Sequence, residues 1–315
     1  MRKRDLVTAL AKRPVLCDGG MGTQLITAGL PPGACGALWN IEQPDAILAI
    51  HRRYRDAGCE LLTTNTFQAS RRALEMHGLA ERAAELNRAA AELTRRAAGD
   101  EALVLADVGP FGGFLEPFGE TTPDELRDIF AEQLAALREG GADAVIVETM
   151  SDPNELRVAV EAAKQIGDWP VIGSYAFERQ DGETFRTMMG VTVAEAVAAA
   201  IDAGADIVGA NCGSSLDLSD YERLAAQLVA AARSGCLGQM PQPRTPAVIL
   251  QPNAGSPRLV DGQTIYPSTP QDMAAIVPNL LEIGVRILGG CCGTTPDHLH
   301  AMSESLHHTR HAADA

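Results

Sequence analysis

Three cysteines stand where apolar runs give way to glycine: Cys212 in GANCG (209–213) and the adjacent pair Cys291–Cys292 in GGCCG (289–293). Three converging thiolates suit Zn²⁺, which prefers tetrahedral sulfur and nitrogen ligands, and three protein ligands leave a fourth position open. Adjacent cysteines reach one ion only where the backbone bends sharply, and Gly289, Gly290 and Gly293 permit that bend. The competing reading is three buried, inert thiols, since free cysteine is among the most buried residue types. Their joint placement at two glycine-wrapped run ends favours metal. Cys17, Cys35, Cys59 and Cys236 lack such company and read as inert. An open zinc site either activates water or binds an external thiol. Three cysteinates weaken its acidity toward water but keep a fourth thiolate electron-rich, so thiol alkylation is the better match.

Other chemical groups follow apolar runs in the same way. Asp18 opens the glycine-rich DGGMGT segment, Asp107 and Glu148 end two further runs, Asn211 precedes Cys212, and Asn253 sits in QPNAG. Asp18 and Glu148 suit a substrate ammonium, and glycine-backed amides around Gly19, Gly20 and Met21 suit a carboxylate. A phosphate cradle is the alternative for that loop, but the two acids would repel phosphate.

Such residues need elements to hold them. Apolar runs at 14–18, 60–64, 102–107, 144–148, 170–175, 206–211, 247–251 and 286–290 are continuous rather than alternating, as in parallel strands covered on both faces. Helical stretches lie between them. Several open on a polar cap with proline or an acid, at Thr122-Pro123, Ser151-Asp152 and Ser268, and close on glycine. The steps AGCE, GGADA, AGADI and IGVRI predict helices that end on Gly and turn straight into a strand. Eight such units predict an α/β fold, a single-domain (β/α)8 TIM barrel over 1–315, with the runs' carboxyl ends at one mouth. A doubly wound open sheet is the runner-up. Runs six and eight are then two apart in the ring, close enough for Cys212 to meet Cys291 and Cys292. The proline-rich 235–246 reads as a surface loop, and the tail 307–315 as a frayed end.

Composition narrows the function classes. Lys plus Arg number 26 against 41 Asp plus Glu, a formal charge of −15, which argues against nucleic acid as the main partner. No run approaches the ~20 apolar residues of a membrane span, and no apolar segment follows the basic opening as in a signal peptide. The chain is expected to be cytoplasmic, where seven cysteines argue for metal or thiol chemistry rather than disulfides.

Taken together, DGGMGTQL (18–25), TTNTF (63–67), DVGPFGGFLEPFGE (107–120), VETMSD (147–152), GANCG (209–213), QPNAGSP (251–257) and GGCCGTTPDH (289–298) resemble the homocysteine S-methyltransferase family, in order and from about residue 10 to 308. The likeness is strongest to the homocysteine-binding module of cobalamin-dependent methionine synthase. It implies zinc on Cys212, Cys291 and Cys292, one ion per chain, with the substrate thiolate as fourth ligand. It implies Asp18 and Glu148 at the substrate's amino group, amides around Gly20 and Met21 at its carboxylate, Thr23 supporting that loop, and Asn211 and Asn253 beside the metal or gating it. Gln68 stands where the betaine-using members carry an aromatic residue, so an aromatic cage for a quaternary ammonium is not expected. The length leaves no room for the cobalamin, folate or reactivation modules of full methionine synthase. A methylcorrinoid, free or on a separate protein, is the expected donor. S-methylmethionine or betaine as donor, and a non-catalytic zinc- or thiol-binding subunit, stay open.

Overall fold

Eight short parallel strands form the centre of the computed structural model, which describes residues 6–180, 182, 184–234 and 245–314. They are β1 (Val15–Leu16), β2 (Leu61–Thr63), β3 (Leu103–Val108), β4 (Ala144–Met150), β5 (Val171–Tyr175), β6 (Ile207–Asn211), β7 (Ala247–Gln251) and β8 (Ile287–Leu288). Hydrogen bonding orders them β1-β8-β7-β6-β5-β4-β3-β2, all parallel. The ends of this row meet: Cys17 and Leu61 form a parallel bridge, Glu60 N donates to Leu16 O at 2.8 Å and Asp18 N to Leu61 O at 3.0 Å. That closure makes the sheet a barrel and rules out the open, doubly wound alternative.

The eight expected strands are all present. β1 and β8 hold two residues each where five were expected, because Asp18 and Gly289–Gly290 leave the ladder to build the mouth: Gly290 N bonds Asp18 O at 2.9 Å. Strand residues divide between two cores. One fills the barrel with Val15, Cys17, Leu61, Leu103, Leu105, Ala144, Ile146, Ile172, Ile207, Ile249 and Ile287, and Leu6 and Leu10 of a short helix join it. The other lies between barrel and helices and takes Leu62, Val104, Ala106, Val108, Val145, Val147 and Val208. Burial on both faces is why these strands read as unbroken apolar runs.

The outer ring comprises α1 (Pro44–Asp56), α2 (Ala83–Ala98), α3 (Pro123–Glu139), α4 (Pro153–Ile166), α5 (Val193–Asp202), α6 (Leu218–Ser234), α7 (Pro270–Ala275, continuing as Val277–Ile283) and α8 (Pro296–Asp314). Thr122 and Glu125 close a reciprocal capping box on α3, and Asp152 caps α4 through Asn154 N at 2.8 Å. The cap of α7 is Thr269 rather than Ser268, and that helix is interrupted at Ile276, where Pro278 has no amide to continue the ladder. Gly58, Gly141, Gly204 and Gly284 carry φ near +100°, so each helix-to-strand step needs its glycine. The tail expected to fray continues α8 to Asp314, carried by buried Leu299, Met302 and Leu306. Most of the expected loop at 235–246, with Cys236, lies outside the described residues. Among the described residues no helix is long and apolar enough to cross a membrane.

Candidate functional site

Side chains alternate along a strand, so the rows that fill the barrel continue upward as Thr63, Asp107, Glu148, Ser174, Asn211 and Gln251. An apolar interior thus ends in a polar floor at the carboxyl ends of the strands, where barrel enzymes place their chemistry.

Cys212, Cys291 and Cys292 meet above one side of this floor, their Sγ atoms all within 4.8 Å of one another. Among the described residues no other three Cys, His, Asp or Glu ligand atoms come so close. Each thiol is placed by its backbone. Cys212 leaves β6 with φ +58°; its amide bonds Gln251 O at 3.2 Å and its carbonyl accepts from the Tyr221 hydroxyl of α6. Cys291 N bonds Pro252 O at 2.8 Å, and Cys292 O accepts from Ala254 N at 3.0 Å, so the loop after β7 holds both neighbours. The turn past them requires Gly293: φ is +79°, and a Cβ there would sit 2.1 Å from Cγ of Tyr266. Gly20 is equally constrained, since its Cβ would lie 2.5 Å from Cys291 O.

Two amides brace the thiols. Asn211 Oδ1 accepts from Thr149 N at 2.9 Å and Ser174 Oγ at 2.7 Å, while its Nδ2 reaches Thr149 Oγ1 at 2.6 Å and Cys291 Sγ at 4.0 Å. Asn253 Nδ2 bonds Gly213 O at 3.2 Å and Cys212 Sγ at 3.8 Å, and its backbone N–H donates to Tyr221 Oη at 3.2 Å. Hydrogen bonds from the Cys212 and Cys291 thiols hold Cys292 down to about 3, whereas bonding to its two neighbours pushes Cys291 well up. Three thiols this close do not all ionise unaided. A dication would supply the missing charge, and three sulfur donors are a set that fits zinc.

The other side of the floor is acidic. Asp18 is 1% exposed; its Oδ2 accepts from Thr63 N at 2.8 Å, and burial pushes its carboxyl up to about 7. Burial, then the charges of Cys212 and Asp18, push Glu148 up to about 8. Asp107, 5% exposed, is raised well above its usual range by burial and by Glu148 and Asp18. The loop after β1 packs against the cysteine turn: Gly20 N donates to Thr294 Oγ1 at 3.0 Å, Thr294 Oγ1 donates to Cys291 O at 2.7 Å, and Thr23 Oγ1 donates to Gly20 O at 3.1 Å. Gly19 is packed against Thr294, Leu299 and Tyr54, with no room for a side chain. Met21 begins a short helix, Met21–Thr27, whose first-turn amides have no acceptor within the helix. Sequence reasoning missed Thr149, Tyr221, Tyr266 and Thr294, which touch the expected residues. It noted Asp107 at a strand end but did not place it in the site.

Asp18 yields a prediction on stability. Its folded value near 7 exceeds the ordinary 3.8, so folding favours the protonated form; the stability it contributes is full below pH 4 and is lost as pH rises through 7. Without ligand, Asp18→Asn should gain stability over the parent between pH 4 and 8, by on the order of 4 kcal/mol at the upper limit. Urea unfolding at several pH values measures the gap, and a gap independent of pH would contradict it.

Comparison with known proteins adds four findings. A family model described as homocysteine S-methyltransferase matches residues 15–306. The chain is 32% identical to methionine synthase of Mycobacterium leprae across 96% of its own length, but spans only 25% of that protein. It is 31% identical to betaine–homocysteine S-methyltransferase 1 of Mus musculus over 84% of this chain and 65% of that one. Among solved structures, the metallated form of the homocysteine methyltransferase MmuM from Escherichia coli shares the fold, with a TM-score of 0.71 and 22% identity over 94% of this chain and 98% of that one.

Proposed function

The chain belongs to the homocysteine S-methyltransferase family, and we propose that it is a zinc-dependent enzyme that methylates the sulfur of homocysteine to give methionine. The observation carrying this reading is the meeting of Cys212, Cys291 and Cys292 beside an acidic floor. Zinc held by those three thiolates, one ion per chain, would keep a fourth, substrate thiolate ionised yet electron-rich.

The chain's own residues do the rest. Glu148 and Asp18 receive the substrate ammonium, and the Met21 amide receives its carboxylate. Gly20 has already given its donor to Thr294, so its part, with Gly19, is to let the loop lie against Cys291, and Thr23 fastens the turn. Asn211 and Asn253 hold Cys291 and Cys212 in place. With sulfur fixed, its lone pair attacks the methyl carbon; the C–S bond forms as the methyl–donor bond breaks, and the donor keeps that electron pair. Productive attack needs sulfur and carbon about 3–3.5 Å apart and in line.

For the donor, we infer a methylcorrinoid, free or carried on a separate protein. The loops after β3, β5 and β7 expose Phe114, Phe118, Met188, Leu259, Val260 and Ile265, apolar side chains suited to contact with a large donor. Gln68 is exposed and offers no aromatic wall for a quaternary ammonium. Supplied with homocysteine, the zinc-loaded chain should form methionine, read by mass, with methylcobalamin and little with betaine. Turnover with betaine or S-methylmethionine and none with free or protein-bound methylcobalamin would overturn the donor assignment. Failure with every donor, with zinc bound, would overturn the enzymatic reading.

A further inference from the structure

Asp107 is a buried carboxyl with a bonding group unspent. Its backbone is fully engaged: Asp107 N donates to Thr64 Oγ1 at 3.0 Å and Asp107 O accepts from Thr66 Oγ1 at 2.6 Å. Its side chain is not, since Oδ1 is buried without a hydrogen-bond partner. An orphaned buried oxygen is destabilising unless something arrives to satisfy it. Strand parity shows where it looks. Leu103 and Leu105 fill the barrel, so Asp107 is the next residue of that inward row and crowns it at the mouth. Glu148 stands in the same position on the adjacent strand, one layer above Ile146, and Asp18 lies across β2. Two more orphaned acceptors share the mouth, Gln251 Oε1 and Asn253 Oδ1.

A site whose unspent groups are acceptors calls for a ligand that donates. The acid oxygens stand farther apart than the three sulfurs, which alone meet the 4.8 Å spacing among the described residues, so a shared ligand has to draw these side chains inward. They suit a cation with several N–H donors. A primary ammonium offers three such donors, which matches three carboxylates approached from β1, β3 and β4.

We propose that Asp107 is a third carboxylate for the substrate's ammonium, with Asp18 and Glu148, and that it restricts the acceptor to thiols bearing an α-amino group. This rests on the homocysteine reading above and names its specificity residue. Asp18 is already tied to Thr63 by three contacts of 2.8–3.2 Å, whereas Asp107 keeps an oxygen free for substrate.

The test uses the zinc-loaded chain and two thiols, homocysteine and its des-amino analogue 4-sulfanylbutanoate, with binding measured by calorimetry. In Asp107→Asn, homocysteine affinity should fall roughly tenfold or more, while the analogue binds as in the parent and zinc content is unchanged. The parent should prefer homocysteine, and the variant should lose most of that preference. Equal losses for both thiols would assign Asp107 a structural role and overturn the proposal, as would unchanged homocysteine affinity. Asp107→Ser, smaller and neutral, should repeat the selective loss if Asn alters packing. A parent that binds zinc but neither thiol would instead overturn the homocysteine reading, an outcome distinct from failure of the Asp107 arm.

Discussion

Replacing Cys212, Cys291 or Cys292 singly by Ala should abolish methyl transfer and strip the metal, while the barrel stays folded. The effect is large because, on the proposed function, all three thiols hold one ion, and two sulfurs would leave it half-coordinated by protein. Apparent binding energies of structural zinc run to about 10–16 kcal/mol, so the loss of one ligand should show as metal content falling from about one per chain to near zero. Folding should survive because backbone contacts, not the sulfurs, set these turns: Cys291 N to Pro252 O, Ala254 N to Cys292 O and the Tyr221 hydroxyl to Cys212 O. Atomic emission for zinc, a methionine assay and circular dichroism measure the three parts. Cys35→Ala should leave zinc content untouched, since Cys35 is not among the converging thiols. A parent chain fully active in strong chelator, with no zinc bound, would sink the mechanism.

The reach of the sequence differs from one part of this site to another, for physical reasons. Cysteine and glycine are chemically distinctive, so GANCG and GGCCG were legible, and placing runs six and eight two apart in a ring was enough to bring them together. All eight strands were legible because burial on both faces makes each a continuous apolar run. The same burial hides parity: in LVLADV (103–108) every residue is buried, so nothing in the text says that Asp107 faces the barrel while Ala106 faces the helices. Residues that touch the site from other elements were out of reach for another reason. Tyr221 reaches Cys212 from inside α6, and Tyr266 lies against Gly293 after the hairpin Arg258–Ile265. Neither spacing repeats, and a tyrosine in a helix or loop has no local mark of its target. The break in α7 was readable from Pro278, but the apolar period runs through it from Met273 and Val277 to Leu280 and suggests one helix.

Glu148→Gln should weaken homocysteine binding strongly and leave zinc in place. Glu148 ends an inward row of β4 and is separate from the three sulfurs, so its replacement removes an ionisable carboxyl from the floor and none of the converging thiols. Gln keeps the shape and one acceptor but cannot carry the negative charge that answers an ammonium. A charge-assisted contact of this kind contributes about 1.5–3 kcal/mol, so affinity should drop by about 10- to 150-fold. Because the contact is to the part of the substrate that does not react, it is made in ground and transition states alike. The loss should therefore fall mainly on KM, with kcat at saturating homocysteine much less affected. The des-amino thiol again serves as control: it offers nothing to Glu148, so parent and variant should bind it equally. Zinc analysis and calorimetry with the two thiols decide the matter. Normal homocysteine affinity in Glu148→Gln would remove Glu148 from the ammonium site. Lost zinc would make it part of the metal's support instead.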